Sequence, residues 1–271
     1  VKISLGSMVV CVVVVSFAAS PGNAADPAKA SGSSGDQAAQ ANNPLANLKT
    51  FNLHNYYISE LSGTDESANQ FWLRYAQPLS TPIGSWLIRA SLPVSRLPVG
   101  EDSESGLGDA NAFAAYLFDT GNPRVSLGVG PLFGIPTATD DALGTDQWSA
   151  GLAAVLFNAS HPTVQWGGLV TYQHKIGGSG RAPDVNLLAV QPFGIVQMGS
   201  GYYLRSSGIW AFNLESGDYA VPVGLGVGKV LKVGRTVLNA FVEPQYSIVD
   251  DGPGQPQFQV FMGFNMQFYG S

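Results

Sequence analysis

The side chains with the widest chemical repertoire in this sequence are three histidines and one cysteine. His54 stands beside Asn55, His161 precedes Pro162, and His174 follows Gln173, so they are scattered rather than spaced as metal ligands are. Cys11 is followed by bulky valines, unlike a lipoprotein acceptor, and no other thiol exists for a disulfide or a thiolate metal site. Lipid-cleaving enzymes built on a barrel carry a serine two positions from the catalytic histidine; Ile176 occupies that place after His174. Asp140-Asp141 would suit proteolysis only beside a histidine, for which His174 is the one candidate. Gly224-Leu225-Gly226-Val227-Gly228-Lys229 looks superficially like a phosphate loop, but Val223 stands where the first glycine belongs and no helix follows. The sequence therefore predicts no catalytic residue, no metal site and no cofactor, and the chain is not expected to be an enzyme.

Composition narrows the class further. Only 12% of the 271 residues are charged, against about 25% in an ordinary soluble domain, while 33 Gly and 17 Pro exceed the usual share. That mixture excludes a coiled coil, a helical bundle and a disordered acidic tail. A formal charge of −6 leaves no basic stripe to neutralise phosphates, so no nucleic-acid partner is expected. At the amino end, Lys2, an apolar run from Met8 to Phe17 and the small pair Gly22 and Ala24 read as a secretory signal peptide over 1–24. Residues 25–47, rich in Ala, Gly, Ser, Gln and Asn, read as a flexible periplasmic linker.

From 48 to 271 the pattern changes to period-two alternation, the signature of strands. Phe258, Val260, Met262, Phe264, Met266 and Phe268 share one face; Gln259, Gly263, Asn265 and Gln267 share the other, with Phe261 as an exception. Trp86, Ile88, Ala90, Leu92 and Val94 likewise oppose Ser85, Arg89, Ser91 and Ser95. Twelve such segments are expected: 48–60, 68–79, 84–97, 107–118, 124–138, 147–157, 163–176, 184–197, 202–213, 218–231, 236–248 and 257–269. They are longer than the five or six residues usual in soluble strands and match the nine to eleven that a tilted strand needs to cross a bilayer. Their polar faces carry Ser, Gly, Asn and Gln instead of the Lys and Glu of a wetted surface. Both facts predict an all-β fold: a closed antiparallel transmembrane β-barrel of about twelve strands, lipid outside and polar groups inside.

The connections alternate short and long, with short periplasmic turns such as Ser80–Ile83 and Lys232–Arg235, and long extracellular loops such as Pro98–Gly106 and Thr139–Asp146. Most loop carboxylates, among them Asp65, Glu66, Glu104, Asp140, Asp141, Asp250 and Asp251, fall on the long side. Solvation of exposed loops explains them; divalent cations bridging lipopolysaccharide, or the steering of cationic solutes, are the alternatives. By parity Arg74, Arg89, Asp109, Asn111, Arg205, Asn239, Glu243 and Gln245 are expected to line the lumen, with Trp72 and Phe241 beside them. Asp109 and Glu243 are expected to pair with arginines, because an unpaired buried charge is costly. These groups either fill and tie the barrel or line a solute path. Tyr75, Trp86, Trp148, Trp166, Tyr172, Trp210 and Tyr246 are expected outside, near the membrane interfaces.

Several stretches resemble a family. They are Gly106-Leu107-Gly108-Asp109, Gly128-Val129-Gly130-Pro131, Ile135-Pro136-Thr137-Ala138-Thr139-Asp140, Leu143-Gly144-Thr145 with Trp148, Gln191-Pro192-Phe193 and Val221 to Lys229. In that order they resemble the Gram-negative outer-membrane barrels of the MetA pathway of phenol degradation. The resemblance implies location in the outer membrane and a transport role for aromatic or other hydrophobic compounds, and it supplies no ligand residues. With no energy-coupling motif, a passive channel for small molecules is expected. A non-conducting structural barrel and a lipid-modifying enzyme are the alternatives. Expected partners are outer-membrane lipid and lipopolysaccharide, a small-molecule solute and the barrel-insertion machinery.

Overall fold

The alternation is realised as long antiparallel strands joined into one closed sheet. The computed structural model describes residues 40–100, 102–179 and 182–268, so the expected signal peptide lies outside the described residues. In chain order the strands are β1 (Lys49–Leu61), β2 (Ala68–Thr81), β3 (Gly84–Val99), β4 (Asp102–Leu107), β5 (Ala110–Phe118), β6 (Val125–Ile135), β7 (Gln147–Asn158) and β8 (Val164–Gly178). They continue with β9 (Asn186–Gly199), β10 (Tyr202–Ser206), β11 (Trp210–Asn213), β12 (Tyr219–Gly224), β13 (Gly226–Val233), β14 (Thr236–Asp251) and β15 (Pro256–Phe268). Antiparallel pairing runs all round the sheet, and β1 returns to pair with β15 from Lys49↔Phe268 to Leu61↔Pro256. Closure joins the first and last strands, so the wall has no free edge strand.

Three staves of the barrel are each made of two strands. β4 and β5 both pair with β3, β10 and β11 both with β9, and β12 and β13 both with β14. The barrel thus has twelve staves, as expected, but the uninterrupted strands expected over 107–118, 202–213 and 218–231 are broken at Gly108-Asp109, Ser207-Gly208-Ile209 and Leu225. The second and third breaks face each other. Pairing between those staves stops at Arg205↔Gly226 and resumes at Ala211↔Ala220, so 206–210 and 221–225 form no ladder. Pro222 has no N–H to offer there, and a Cβ on Gly208 would collide with the Pro222 carbonyl. The expected loop Pro98–Gly106 also shrinks, because β3 and β4 stay paired from Val94↔Leu107 to Val99↔Asp102 as a ribbon beyond the wall.

One face of every stave points out and is apolar. Leu152 is 60% exposed, Val170 41% and Phe264 38%, all within strands. Trp148, Trp166, Tyr172 and Tyr246 are exposed on the same face. The inward face mixes polar groups with an aromatic cluster containing Tyr56, Phe157, Tyr203, Phe241 and Phe261. Phe261, the exception in its strand's alternation, is buried and stacks on Tyr56 with centroids 4.2 Å apart. Twelve staves enclose more width than the eight that side chains fill completely, and the inward packing leaves cavities between the side chains. No helix of the described residues is long and apolar enough to cross a membrane, which says nothing about crossing by strands.

Candidate functional site

At mid-height the inward faces of β1, β2 and β3, with β10 from farther round the wall, bring four basic side chains together. Arg74 on β2 lies between Asn52 and Ser91, and Arg89 on β3 between Ala76 and Phe113. His54 on β1 lies between Trp72 and Gly263, and Arg205 on β10 between Ile195 and Gly226. All four line one cavity of about 160 Å³, together with Asn52, Asn239, Asn265, Phe113, Phe241 and Phe261. A second cavity of about 400 Å³ lies toward the side carrying the longer loops, walled by Tyr56, Ile58, Leu61, Trp72, Leu97 and Ile209. Arg74 borders both.

The bonding of the basic groups defines their states. Arg74 Nη1 lies 2.6 Å from His54 Nδ1, and His54 Nε2 lies 2.8 Å from Asn265 Oδ1. A guanidinium only donates, so Nδ1 accepts, and Nε2–H donates to the amide oxygen; His54 is the neutral tautomer. The Arg74 guanidinium rests 4.9 Å from the Trp72 ring centroid, Arg89 4.4 Å from Phe113, and Arg205 3.5 Å from Phe241. Arg74 Nε and Arg89 Nε are buried with no hydrogen-bond partner.

Among the described residues, Arg205 is the one cavity arginine that meets a carboxylate. Glu243 Oε2 accepts from Arg205 Nε at 2.7 Å and from Ser207 Oγ at 2.8 Å. Oε1 accepts from the Ser207 amide at 2.7 Å and from Gln245 Nε2 at 2.9 Å. Gln259 in turn donates to Gln245 Oε1 at 2.7 Å. Gly226 makes room for this knot, since a Cβ there would lie 2.6 Å from the Glu243 Cβ. The expected pairing of Glu243 with an arginine is therefore present. That of Asp109 is not. Its Oδ1 accepts from the amides of Thr137 and Ala138, each at 3.2 Å, and its Oδ2 from the Thr145 amide at 2.7 Å and hydroxyl at 2.9 Å. Backbone donors of the 136–146 connection satisfy this carboxylate without an arginine.

Of the residues expected along the lumen, Arg74, Arg89, Arg205 and Asn239 border the cavity, and Glu243 and Gln245 lie buried in the adjoining network. Asn111 lies opposite Ser91 and Gly134, outside the cavity lining, and Asp109 belongs to the loop clasp. Sequence reasoning left out His54, although it shares parity with Asn52 and Tyr56 on β1. It also left out the chain just before β1. Asn43 Nδ2 bonds Ser126 Oγ at 3.1 Å, and the Ala41 carbonyl accepts from Asn239 at 3.3 Å and Gln267 at 3.1 Å. Leu45 is buried among Ala76, Leu87 and Val155. Of the stretch expected as a linker, residues 40–46 thus pack inside the bore, on the side of the shorter turns, while 25–39 lie outside the described residues. Among the described residues no three His, Cys, Asp or Glu side chains converge on a metal-sized site.

A closed barrel with an apolar outer face and a basic interior can be compared with solved structures. In fold it is similar to outer-membrane channel barrels. It matches an outer membrane channel from Pseudomonas putida F1 with a TM-score of 0.57 at 14% identity, over 82% of this chain and 96% of that one. It matches the NanC porin with a TM-score of 0.51 at 11% identity, over 81% of this chain and 99% of that one. At such identities the likeness is one of fold. No family model matches the chain, and no curated protein matches it. The motifs that carry the family resemblance have a structural account of their own: Gly106 to Asp109 and Pro136 to Thr145 are the two halves of the Asp109 clasp.

Proposed function

We propose that this chain is a passive outer-membrane channel for small, partly apolar molecules. The observation that carries the reading is the meeting of two cavities at Arg74 inside a barrel whose outer face is apolar. An apolar loop-side chamber leading to a polar and aromatic mid-bore chamber suits solutes with a greasy body, aromatic compounds included. In this orientation the longer loops and their carboxylates face outward toward lipopolysaccharide, and the turns and both barrel ends face the periplasm. Any flux runs down a gradient. Single-channel recording in planar bilayers, with liposome swelling across a panel of sugars and phenols, tests the reading; a folded barrel that passes neither ions nor solutes would refute it.

A non-conducting barrel is the second reading, favoured by one observation: residues 40–46 and the aromatic cluster occupy much of the bore. Recording from a variant lacking 40–46 separates the two, because a structural barrel stays silent after the segment is removed.

A further inference from the structure

Among the described residues, two guanidinium groups in the bore meet no carboxylate. Among the described residues the ion pairs are Lys175–Asp184 and Arg205–Glu243, so neither Arg74 nor Arg89 meets a carboxylate. Glu243 offers them nothing, since both of its oxygens are taken up by Arg205, Ser207 and Gln245. His54 is an acceptor for Arg74 but is uncharged. Stacking on Trp72 and Phe113 supplies no negative charge. The two Nε–H groups are buried and unpartnered beside an open cavity. A buried donor without an acceptor is costly, and a buried cation without an anion more so.

The rest of the cavity wall restricts which anion fits. Phe113, Val155, Leu169, Ile195, Phe241 and Phe261 line it beside the arginines. A fully hydrated inorganic anion would leave that wall unused. The volume, about 160 Å³, is close to the roughly 150 Å³ of an apolar protein cavity known to hold benzene. A carboxylate is the planar acceptor that matches a guanidinium in two-pronged fashion.

From this combination we infer that the mid-bore cavity is a binding site for a small organic carboxylate whose apolar body is about the size of a benzene ring. Arg74 and Arg89 hold the carboxylate, and the phenylalanines and aliphatic side chains hold the body. The site deepens the channel reading, on which its role in permeation rests, but its occupancy can be measured without conduction.

The test is calorimetric titration of the full chain in lipid nanodiscs with sodium benzoate, benzyl alcohol, benzylamine and sodium phosphate. Benzoate is expected to bind saturably, with the other three at least about tenfold weaker. Arg74→Gln and Arg89→Gln are each expected to weaken benzoate roughly tenfold, the loss of one charged hydrogen-bonding partner. Heat-dependent gel mobility reports that each variant is folded. Should either Gln variant fail to fold, the corresponding Lys variant keeps the charge but loses the forked geometry, and weaker benzoate binding by it supports the site equally. No saturable benzoate binding, equal binding of benzyl alcohol, or benzoate affinity unchanged in the folded arginine variants would overturn the inference. Benzoate binding by a barrel that never conducts would sink the channel reading alone; conduction without benzoate binding would sink this inference alone.

Discussion

Arg205 and Glu243 meet 2.7 Å apart from the two staves that flank β12–β13, and the pair lies where the ladder between β10–β11 and β12–β13 is interrupted. Side-chain bonds stand in here for the missing backbone ones, because Glu243 also takes up the amide of Ser207. Glu243→Ala would leave a buried arginine unpaired and is expected to lower stability by about 3–5 kcal/mol. Glu243→Gln should cost less, since one oxygen still accepts. Urea unfolding in detergent, followed by tryptophan fluorescence, reads both. Combining Glu243→Ala with Arg205→Met should restore part of the loss, as expected for residues in one network.

Asp109 holds the connection 136–146 through backbone donors on both sides of its bend. Asp109→Ala removes the acceptor for three amides and one hydroxyl. The expected cost is about 1–3 kcal/mol, confined to the loop, because water can reach the freed donors. Limited proteolysis should show new cleavage within 136–146 while the barrel keeps its folded gel mobility. Unchanged protection would mean that the clasp is dispensable.

Residues 40–46 obstruct the bore through bonds to Ser126, Asn239 and Gln267 and through burial of Leu45. Burying a leucine is worth roughly 1.5–3 kcal/mol, so Leu45→Asp should unseat the segment. Single-channel conductance is expected to rise severalfold in Leu45→Asp and in a chain lacking 40–46. Equal conductance in both and in the parent would show that the segment does not limit flow.

The outer face carries its own prediction. Val170 lies in mid-strand on β8 and is exposed. In lipid, Val170→Arg should destabilise by about 2–4 kcal/mol, whereas on a wetted sheet it would be close to neutral. Equilibrium unfolding from liposomes distinguishes these outcomes.

Much of the barrel was legible because lipid imposes a strict rule on one face of each stave. Apolar residues at every second position over ten or more residues located twelve staves, mostly to within two or three residues of β1, β2, β7 and β15. The rule is silent about the other face. Nothing in the alternation distinguishes Asp109, held by a loop, from Glu243, held by an arginine, since both are carboxylates at positions of inward parity. The breaks at Asp109, Gly208 and Leu225 were hidden for a related reason: inward parity is preserved across them, as with Gly224 and Gly226 on either side of Leu225. His54 looked isolated because its partners, Arg74 and Asn265, come from the second strand and the last. Residues 40–46 looked like linker because their small polar composition is equally suited to bonding with Asn239 and Gln267.

The segment in the turn-side mouth is joined to β1 through Asn47 and Leu48 alone. So short a tether fixes its local concentration at a millimolar level or above, whatever the abundance of the protein. Were the segment to leave its seat, it would be captured again before a dissolved competitor could arrive. Closure is therefore a unimolecular equilibrium, insensitive to dilution, and a free peptide copy of the segment would compete with it only at comparably high concentration.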